Sequence, residues 1–208
     1  MQILPANDAS AVPQALQALR AQGVVLMPTD TLYALAADAT SDVAVDTVYA
    51  IKGRDEKKPM HALVDSLDMA ARYGDVDDAV RALIERAPAG KVTFVIPKKP
   101  SFTTGIGRAI ETFGFRIPDD QLCRDIIRAA GGPLTATSAN MSGSAPSLSF
   151  GATLAGLGTA GHLVACALHG GDLPPSEPST VIDMTGKQPR ILRVGAVDPT
   201  TLGLPAQL

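Results

Sequence analysis

The sequence predicts a single α/β domain built on a mixed sheet, and three observations support this fold class. Short apolar runs that end at proline or glycine, as at 24–27 and 92–96, are typical of buried strands. Segments with helix-capping residues and apolar periodicity lie between them. Strands outnumber helices and are often separated only by turns, which favours a mixed rather than a purely parallel sheet. At 208 residues the chain can form one sizeable core, and no linker or repeat divides it.

The first half of the chain predicts four helices and three strands. Ser10 suits the N-cap of the first helix, and Ser41 or Asp42 suits that of the second, which stops at Gly53. The predicted helices cover 10–22, 42–51, 65–73 and 76–86, and the predicted strands cover 24–27, 61–64 and 92–96.

The second half predicts more strands than helices. Asp119 suits the N-cap of a helix that ends near Ala130, before a glycine pair, and a weak helix surrounds Leu154. Loops are predicted at 98–107 and 172–178, and strands at 112–117, 134–137, 163–168, 180–183 and 190–194.

Composition excludes several classes of protein. The 18 basic and 21 acidic residues give a net charge of −3, which argues against a surface that binds nucleic acid all over, although a local basic cavity remains compatible with it. The two cysteines lie far apart and indicate buried free thiols rather than a disulfide or a metal site. No secretory leader and no run of about 18 apolar residues is visible, so we expect a cytoplasmic protein without a membrane segment.

Lys52 and Arg54 form the first candidate site. Two cations just after a predicted helix can hold a polyphosphate, since the guanidinium fork matches phosphate oxygens. The pair also fits a solvated helix C-terminus, where cations are favoured. No Walker A loop occurs in the chain.

Two polar clusters and three scattered side chains complete the candidate set. Residues 28–33 (PTDTLY) follow a strand, and residues 137–143 (TSANMSG) follow another. Each cluster could contact a ligand, or could be ordinary strand-end and loop polarity. Arg116 lies inside a strand and must reach either solvent or a partner such as a carboxylate. Ser179 precedes a strand and Arg193 ends the last one.

Taken in order, these segments resemble the YrdC/Sua5/YciO family, the threonylcarbamoyl-AMP synthases, in its short single-domain form. The resemblance covers residues 10–197 as one domain and leaves 1–9 and 198–208 as terminal extensions. The matching segments are PTDTLY at 28–33, KGR at 52–54, KP at 58–59, FRIP at 115–118, SANMSG at 138–143, GG at 170–171, STV at 179–181 and LRVG at 192–195.

The resemblance implies a twisted mixed sheet, with helices, around a large concave basic cavity. It implies an enzyme that joins L-threonine, bicarbonate or CO₂, and ATP into threonylcarbamoyl-adenylate and releases pyrophosphate. A separate transferase would then pass the threonylcarbamoyl group to adenosine 37 of tRNAs. The resemblance is also compatible with direct contact between this protein and tRNA or other RNA. Mg²⁺ would arrive with ATP, and neither an organic cofactor nor a dedicated metal site is expected.

The same resemblance assigns roles to individual residues, with Lys52 and Arg54 as the catalytic pair. The nucleotide set is Lys52, Arg54 and Lys58 on the phosphates, with Thr112, Ser138, Asn140, Pro146 and Arg193 around ATP. The L-threonine set is Thr29, Arg116 on the carboxylate, Ala136 through its backbone, and Ser179.

Two alternatives stay open. Leu63 stands where many members have a histidine, with His61 two residues earlier, and ALA at 34–36 replaces GLG. These differences lean slightly toward a YciO-like paralogue that binds nucleotide or RNA with weak or no synthase activity. Against that, KGR at 52–54 and SAN at 138–140 match the synthase pattern. A non-catalytic RNA-binding module is the other alternative, and the 4 % aromatic content argues against it because base stacking needs aromatic side chains.

Overall fold

The computed structural model describes residues 1–55, 58–108 and 110–205. Within them, ten strands form one mixed sheet in the order β1-β8-β2-β3-β7-β4-β6-β5-β9-β10. The strands are β1 Gln2–Pro5, β2 Val24–Met27, β3 Ala34–Ala36, β4 His61–Leu63, β5 Val92–Pro97, β6 Thr112–Arg116, β7 Leu134–Ser138, β8 Val164–His169, β9 Thr180–Asp183 and β10 Arg190–Arg193. Parallel and antiparallel neighbours alternate irregularly, which confirms the predicted mixed sheet.

Six α-helices connect and cover these strands in the described residues. They are α1 Ala11–Arg20, α2 Asp42–Lys52, α3 Leu67–Ala70, α4 Asp78–Arg86, α5 Gln121–Ala130 and α6 Phe150–Gly156. Short 3₁₀ turns occupy Gly105–Gly107, Gly158–Leu163 and Pro199–Leu202. No helix in the described part of the chain is long and apolar enough to cross a bilayer.

The helix ends follow the capping chemistry of the sequence, with two corrections. Ser41 accepts a hydrogen bond from the Ala44 N–H, and Gly53 ends α2 in the left-handed region at φ 55°. The first correction is Ser10, which does not cap α1; its hydroxyl and N–H both donate to Asp8. The second is at α5, where Asp120 rather than Asp119 accepts from the Cys123 N–H.

Three segments differ from the predicted elements. The helix expected at 65–73 is the short α3, Leu67–Ala70, which begins after its cap Ser66. The chain then continues as turns, because the N–H groups of Arg72 and Tyr73 bond to carbonyls three residues back rather than four. Strand β3 was not predicted, because three residues are too short to show an alternation. Strand β1 was not predicted either, because it is an exposed edge strand defined only by its parallel pairing with β8.

The middle of the sheet has one aromatic face and one open face. Phe94, Phe113 and Phe115 project to the aromatic side, where the rings of Phe113 and Phe115 stack with centroids 5.6 Å apart. Since side chains alternate along a strand, Gly114 and Arg116 of β6 project to the opposite side. That side contains the candidate site.

Candidate functional site

A cavity of about 400 Å³ lies over the open face of β4, β6 and β7. Its walls come from the β2–β3 turn, the segment after α2, the loop after β7, and the residues that flank β9 and end β10. A volume in this range is typical of a small-molecule site. Among the described residues that line it, three are arginines, Arg54, Arg116 and Arg193, and none is acidic.

The strand register fixes which side chains form the cavity floor. His61 lies opposite Ala136 on β7, and Leu63 lies opposite Arg116 on β6. The His61 ring rests over Gly114, because a Cβ added at Gly114 would come within 2.5 Å of the ring carbon Cδ2. Gly114 on β6 and Ala136 on β7, the small neighbours of His61, therefore leave room for its imidazole in the cavity.

Arg116 is held by a buried ion pair at the edge of the cavity. Its Nη1 donates to Asp30 Oδ1 at 2.6 Å and to the Gly90 carbonyl at 3.1 Å. The two side chains are 9 % and 6 % exposed, so the pair is shielded from solvent. Gly90 has φ 73°, and a Cβ there would lie 2.0 Å from Asp30 Oδ2, so only glycine leaves space for this carboxylate. The ion pair with Asp30 therefore fixes the orientation of the Arg116 guanidinium at the cavity wall.

Arg193 and Ser179 form a second fixed group. The Arg193 guanidinium donates from Nε and Nη2 to the Ser179 carbonyl at 3.1 and 2.7 Å. The Ser179 hydroxyl shares a 2.8 Å hydrogen bond with the hydroxyl of Thr93. These contacts join β10 to the start of β9 at the wall of the cavity.

Thr29 closes the turn between β2 and β3. Its hydroxyl donates to the Leu32 carbonyl at 2.8 Å and lies 3.1 Å from the Thr31 hydroxyl. Tyr33, which follows, donates to the Gly171 carbonyl at 2.7 Å and accepts from the Gly170 N–H at 3.0 Å. The PTDTLY segment is thus ordered by its own hydrogen bonds and by the glycine pair.

Lys52 and Arg54 point to different surroundings. Lys52 is 4 % exposed, and its ammonium donates to the carbonyls of Ser138 and Asn140. Arg54 lines the cavity, donates from Nη2 to the Pro59 carbonyl at 2.9 Å, and keeps a buried Nε with no hydrogen-bond partner in the described residues. Arg54 is therefore the member of the pair that can meet a ligand in the cavity.

The electrostatics of the cavity disfavour further positive charge. Burial, together with Arg193, Arg54 and Arg116, lowers the pKa of His61 to about 4, so its imidazole is neutral at physiological pH. Burial and the neighbouring Arg54 lower the pKa of Lys52 to about 8. Burial also lowers the pKa of Arg193. An anionic ligand would offset the repulsion among the positive charges of Arg54, Arg116 and Arg193, so the cavity favours an anion.

Comparison with known proteins gives the family. A family model for Sua5, YciO and YrdC proteins, described as "Telomere recombination", matches residues 17–195. The chain belongs to the Sua5/YciO/YrdC family. A putative threonylcarbamoyl-AMP synthase of Mycobacterium tuberculosis strain H37Rv is 32 % identical over 194 residues, 93 % of this chain and 88 % of that protein. Mouse threonylcarbamoyl-AMP synthase is 40 % identical over 139 residues, 67 % of this chain, and the chain's match spans about half of the mouse protein, 49 %.

Solved structures agree with this assignment. P. abyssi Sua5 complexed with L-threonine has a TM-score of 0.85 at 25 % identity, over 94 % of this chain and 58 % of that one. E. coli YciO has a TM-score of 0.81 at 24 % identity over 97 % of both chains, which shows the shared fold. The curated relatives bear synthase names, so the YciO-like alternative gains no support from them.

The family motifs converge, although not every predicted site residue lines the cavity. The predicted site residues that do line it are Thr29, Arg54, Arg116, Ala136, Ser138, Pro146, Ser179 and Arg193. Asn140 is turned into its own loop, donating to the carbonyls of Met141 and Ser144. Lys52 is bound to carbonyls, Lys58 is exposed, and Thr112 is half-buried at the start of β6; none of these three belongs to the lining. Their predicted ligand contacts stay predictions.

Two polar residues of the cavity lie outside the motif segments and were not assigned a role from the sequence. His61 begins β4, and Thr93 interrupts the apolar run of β5. His61 shares its face of β4 with Leu63, which also lines the cavity, and Thr93 is a polar residue in an otherwise apolar strand; these are the signals that could have identified them. In the described part of the chain, no group of three or more His, Cys, Asp or Glu side chains could hold a metal ion.

Proposed function

We propose that this protein is an L-threonylcarbamoyladenylate synthase, a nucleotidyltransferase that condenses L-threonine, bicarbonate or CO₂, and ATP and releases pyrophosphate. The observation that supports it best is the convergence of Arg54, Arg116 and Arg193 on one cavity built from the family motifs. The synthase names of the relatives and the threonine complex of P. abyssi Sua5 support the same substrates.

The reaction explains why the cavity is cationic. The neutral threonine amine adds to CO₂ and releases a proton, or attacks bicarbonate with loss of water, and either route gives the carbamate. A carbamate oxygen then attacks the α-phosphorus of ATP, and the bond from that phosphorus to the β-phosphate oxygen breaks as pyrophosphate leaves. Carboxylate, carbamate and triphosphate are all anions, so bringing them together needs positive charge and fixed orientation rather than a covalent nucleophile. We assign Arg116 to the threonine carboxylate, with Thr29, the Ala136 backbone and Ser179 around the amino acid. We assign Arg54, Ser138, Pro146 and Arg193 to the nucleotide.

The ion pair with Asp30 suits Arg116 to its proposed task. Nη1 is already committed to Asp30 and Gly90, so the rest of the fork is oriented before substrate arrives. A preset guanidinium loses little side-chain freedom on binding a carboxylate, which favours affinity. Mg²⁺ belongs to the ATP substrate in this proposal. The downstream transferase, contact with tRNA and a cytoplasmic location are further parts of the proposal.

Product analysis tests the function. Purified protein should release pyrophosphate and form a threonylcarbamoyl-AMP mass only when L-threonine, bicarbonate and ATP are all present. Arg54→Ala should lower kcat/KM about 100-fold or more, since a cation aimed at developing phosphate charge is lost. Arg81→Ala, an exposed arginine of α4 outside the cavity lining, is the matched control and should keep full activity. Absence of product from the three-substrate mixture would refute the proposal.

A further inference from the structure

The side chains of Lys52 and Arg54 contact different parts of the molecule, because Gly53 between them turns the backbone. Lys52 is the last residue of α2, and Gly53 takes the left-handed conformation at φ 55°. That conformation reverses the chain after the helix, so Arg54 reaches the cavity wall while Lys52 stays against the neighbouring loop. The KGR motif is therefore not a pair of equivalent cations.

Lys52 makes three hydrogen bonds to one short segment, the 138–142 turn. Its Nζ donates to the Ser138 carbonyl at 2.6 Å and to the Asn140 carbonyl at 3.0 Å. Its own carbonyl accepts from the Ser142 N–H at 2.8 Å. Side chain and backbone of one residue thus fix both halves of the turn to the end of α2.

The turn itself connects directly to the cavity. Ser138 lines the cavity, and its hydroxyl donates to the Asn140 amide oxygen. The Asn140 amide nitrogen then closes the loop by donating to the carbonyls of Met141 and Ser144. Without the ammonium, the carbonyls of Ser138 and Asn140 would lose a charged donor and the turn would lose its attachment.

We propose that Lys52 is a positioning residue, which orders the 138–142 turn beside the cavity, and that Arg54 alone of this motif meets the phosphate groups. The ammonium would have to leave two carbonyls to reach a phosphate, and it is absent from the cavity lining. The ordering role stands on the ligand-free structure. The phosphate role of Arg54 rests on the proposed function.

Hydrogen–deuterium exchange on ligand-free protein tests the ordering role without any activity. Lys52→Met keeps length and apolar bulk but removes the donors, and Arg54→Met is the matched variant. We expect exchange in the peptide 138–144 to rise about tenfold or more in Lys52→Met and to stay as in wild type in Arg54→Met. Exchange in β5 should be unchanged in both, which separates a local loosening from general loss of stability. Wild-type exchange at 138–144 in Lys52→Met would overturn the proposal.

Pyrophosphate binding separates an ordering residue from a phosphate ligand. The dissociation constant is measured over a range of salt concentrations, because a lost cation–phosphate contact makes binding less salt-dependent. We expect Lys52→Met to keep the wild-type salt dependence and Arg54→Met to reduce it. Equal reductions in both variants would show that Lys52 also meets phosphate and would refute the division of roles.

Turnover completes the test. At a temperature well below the Tm of each variant, Lys52→Met should lower kcat about tenfold or more, because a loose turn misplaces groups beside the substrate. A wild-type kcat would refute a positioning role. If wild-type protein makes no product, the proposed function fails while the exchange result still decides the role of Lys52. If Lys52→Met does not fold, Lys52→Gln is measured against the same outcomes.

Discussion

Replacing Asp30 with asparagine tests the buried ion pair that fixes Arg116. The substitution keeps the shape of the side chain but leaves the guanidinium, whose side chain is only 9 % exposed, without a counter-charge. Breaking one partner of a buried pair costs about 3–5 kcal/mol. Arg116 Nη1 keeps its 3.1 Å hydrogen bond to the Gly90 carbonyl, so we expect the lower end, about 3 kcal/mol. For a domain of this size each kcal/mol lowers the Tm by about 2–4 °C, which gives a fall of about 6–12 °C.

Thermal unfolding followed by circular dichroism measures this effect. The matched control is Asp46→Asn, since Asp46 pairs with Arg108 on the surface and its side chain is 52 % exposed. Exposed pairs contribute about 0–1 kcal/mol, so the control should melt within about 4 °C of wild type. If Asp30→Asn melts no lower than the control, the ion pair does not stabilise the fold and the argument for a preset Arg116 is wrong.

Three further predictions concern His61. Its NMR resonance in ligand-free protein should titrate near pH 4, since burial and three arginines disfavour the imidazolium, and a midpoint near 6.5 would contradict this. Between pH 4 and 6.5 the unfolded chain binds this proton and the folded chain does not, so the free energy of unfolding should rise with pH across that window. Gly114→Ala places a Cβ 2.5 Å from the His61 ring and should cost about 1–3 kcal/mol in chemical denaturation and lower turnover in the proposed three-substrate reaction. Gly151→Ala in α6, with no atom within 4 Å of the added Cβ, is its control and should be neutral or slightly stabilising because alanine favours a helix; a loss equal to that of Gly114→Ala would exclude the ring contact.

Most of the fold could be predicted because it is encoded locally. The apolar run of β5 and its stop at Pro97 are visible in the sequence, as are Gly53 and Gly131 at the ends of α2 and α5. Strands β1 and β3 could not be predicted, since each is short and is defined by its pairing, β1 with β8 and β3 with β2 and the distant β7. Pairing supplies their hydrogen bonds, and no local pattern reports a pairing partner.

Some residues of the candidate site could be predicted from the sequence, and others could not. Family motifs indicated Arg54, Arg116, Ser179 and Arg193, and the fold brings all four to one cavity. The sequence did not indicate that His61 shares that cavity, because its place depends on small neighbours in two adjoining strands.

What the sequence by itself determined is the family, the mixed α/β class and the set of polar segments that form the site, since these depend on residue identity and order. Only the tertiary structure decided how each charge is used. It buries Lys52 against two carbonyls, pairs Arg116 with Asp30, and leaves Arg54 facing the cavity. The physical reason is that a charged side chain responds to the donors, acceptors and solvent around it, and distant parts of the chain supply these only after folding.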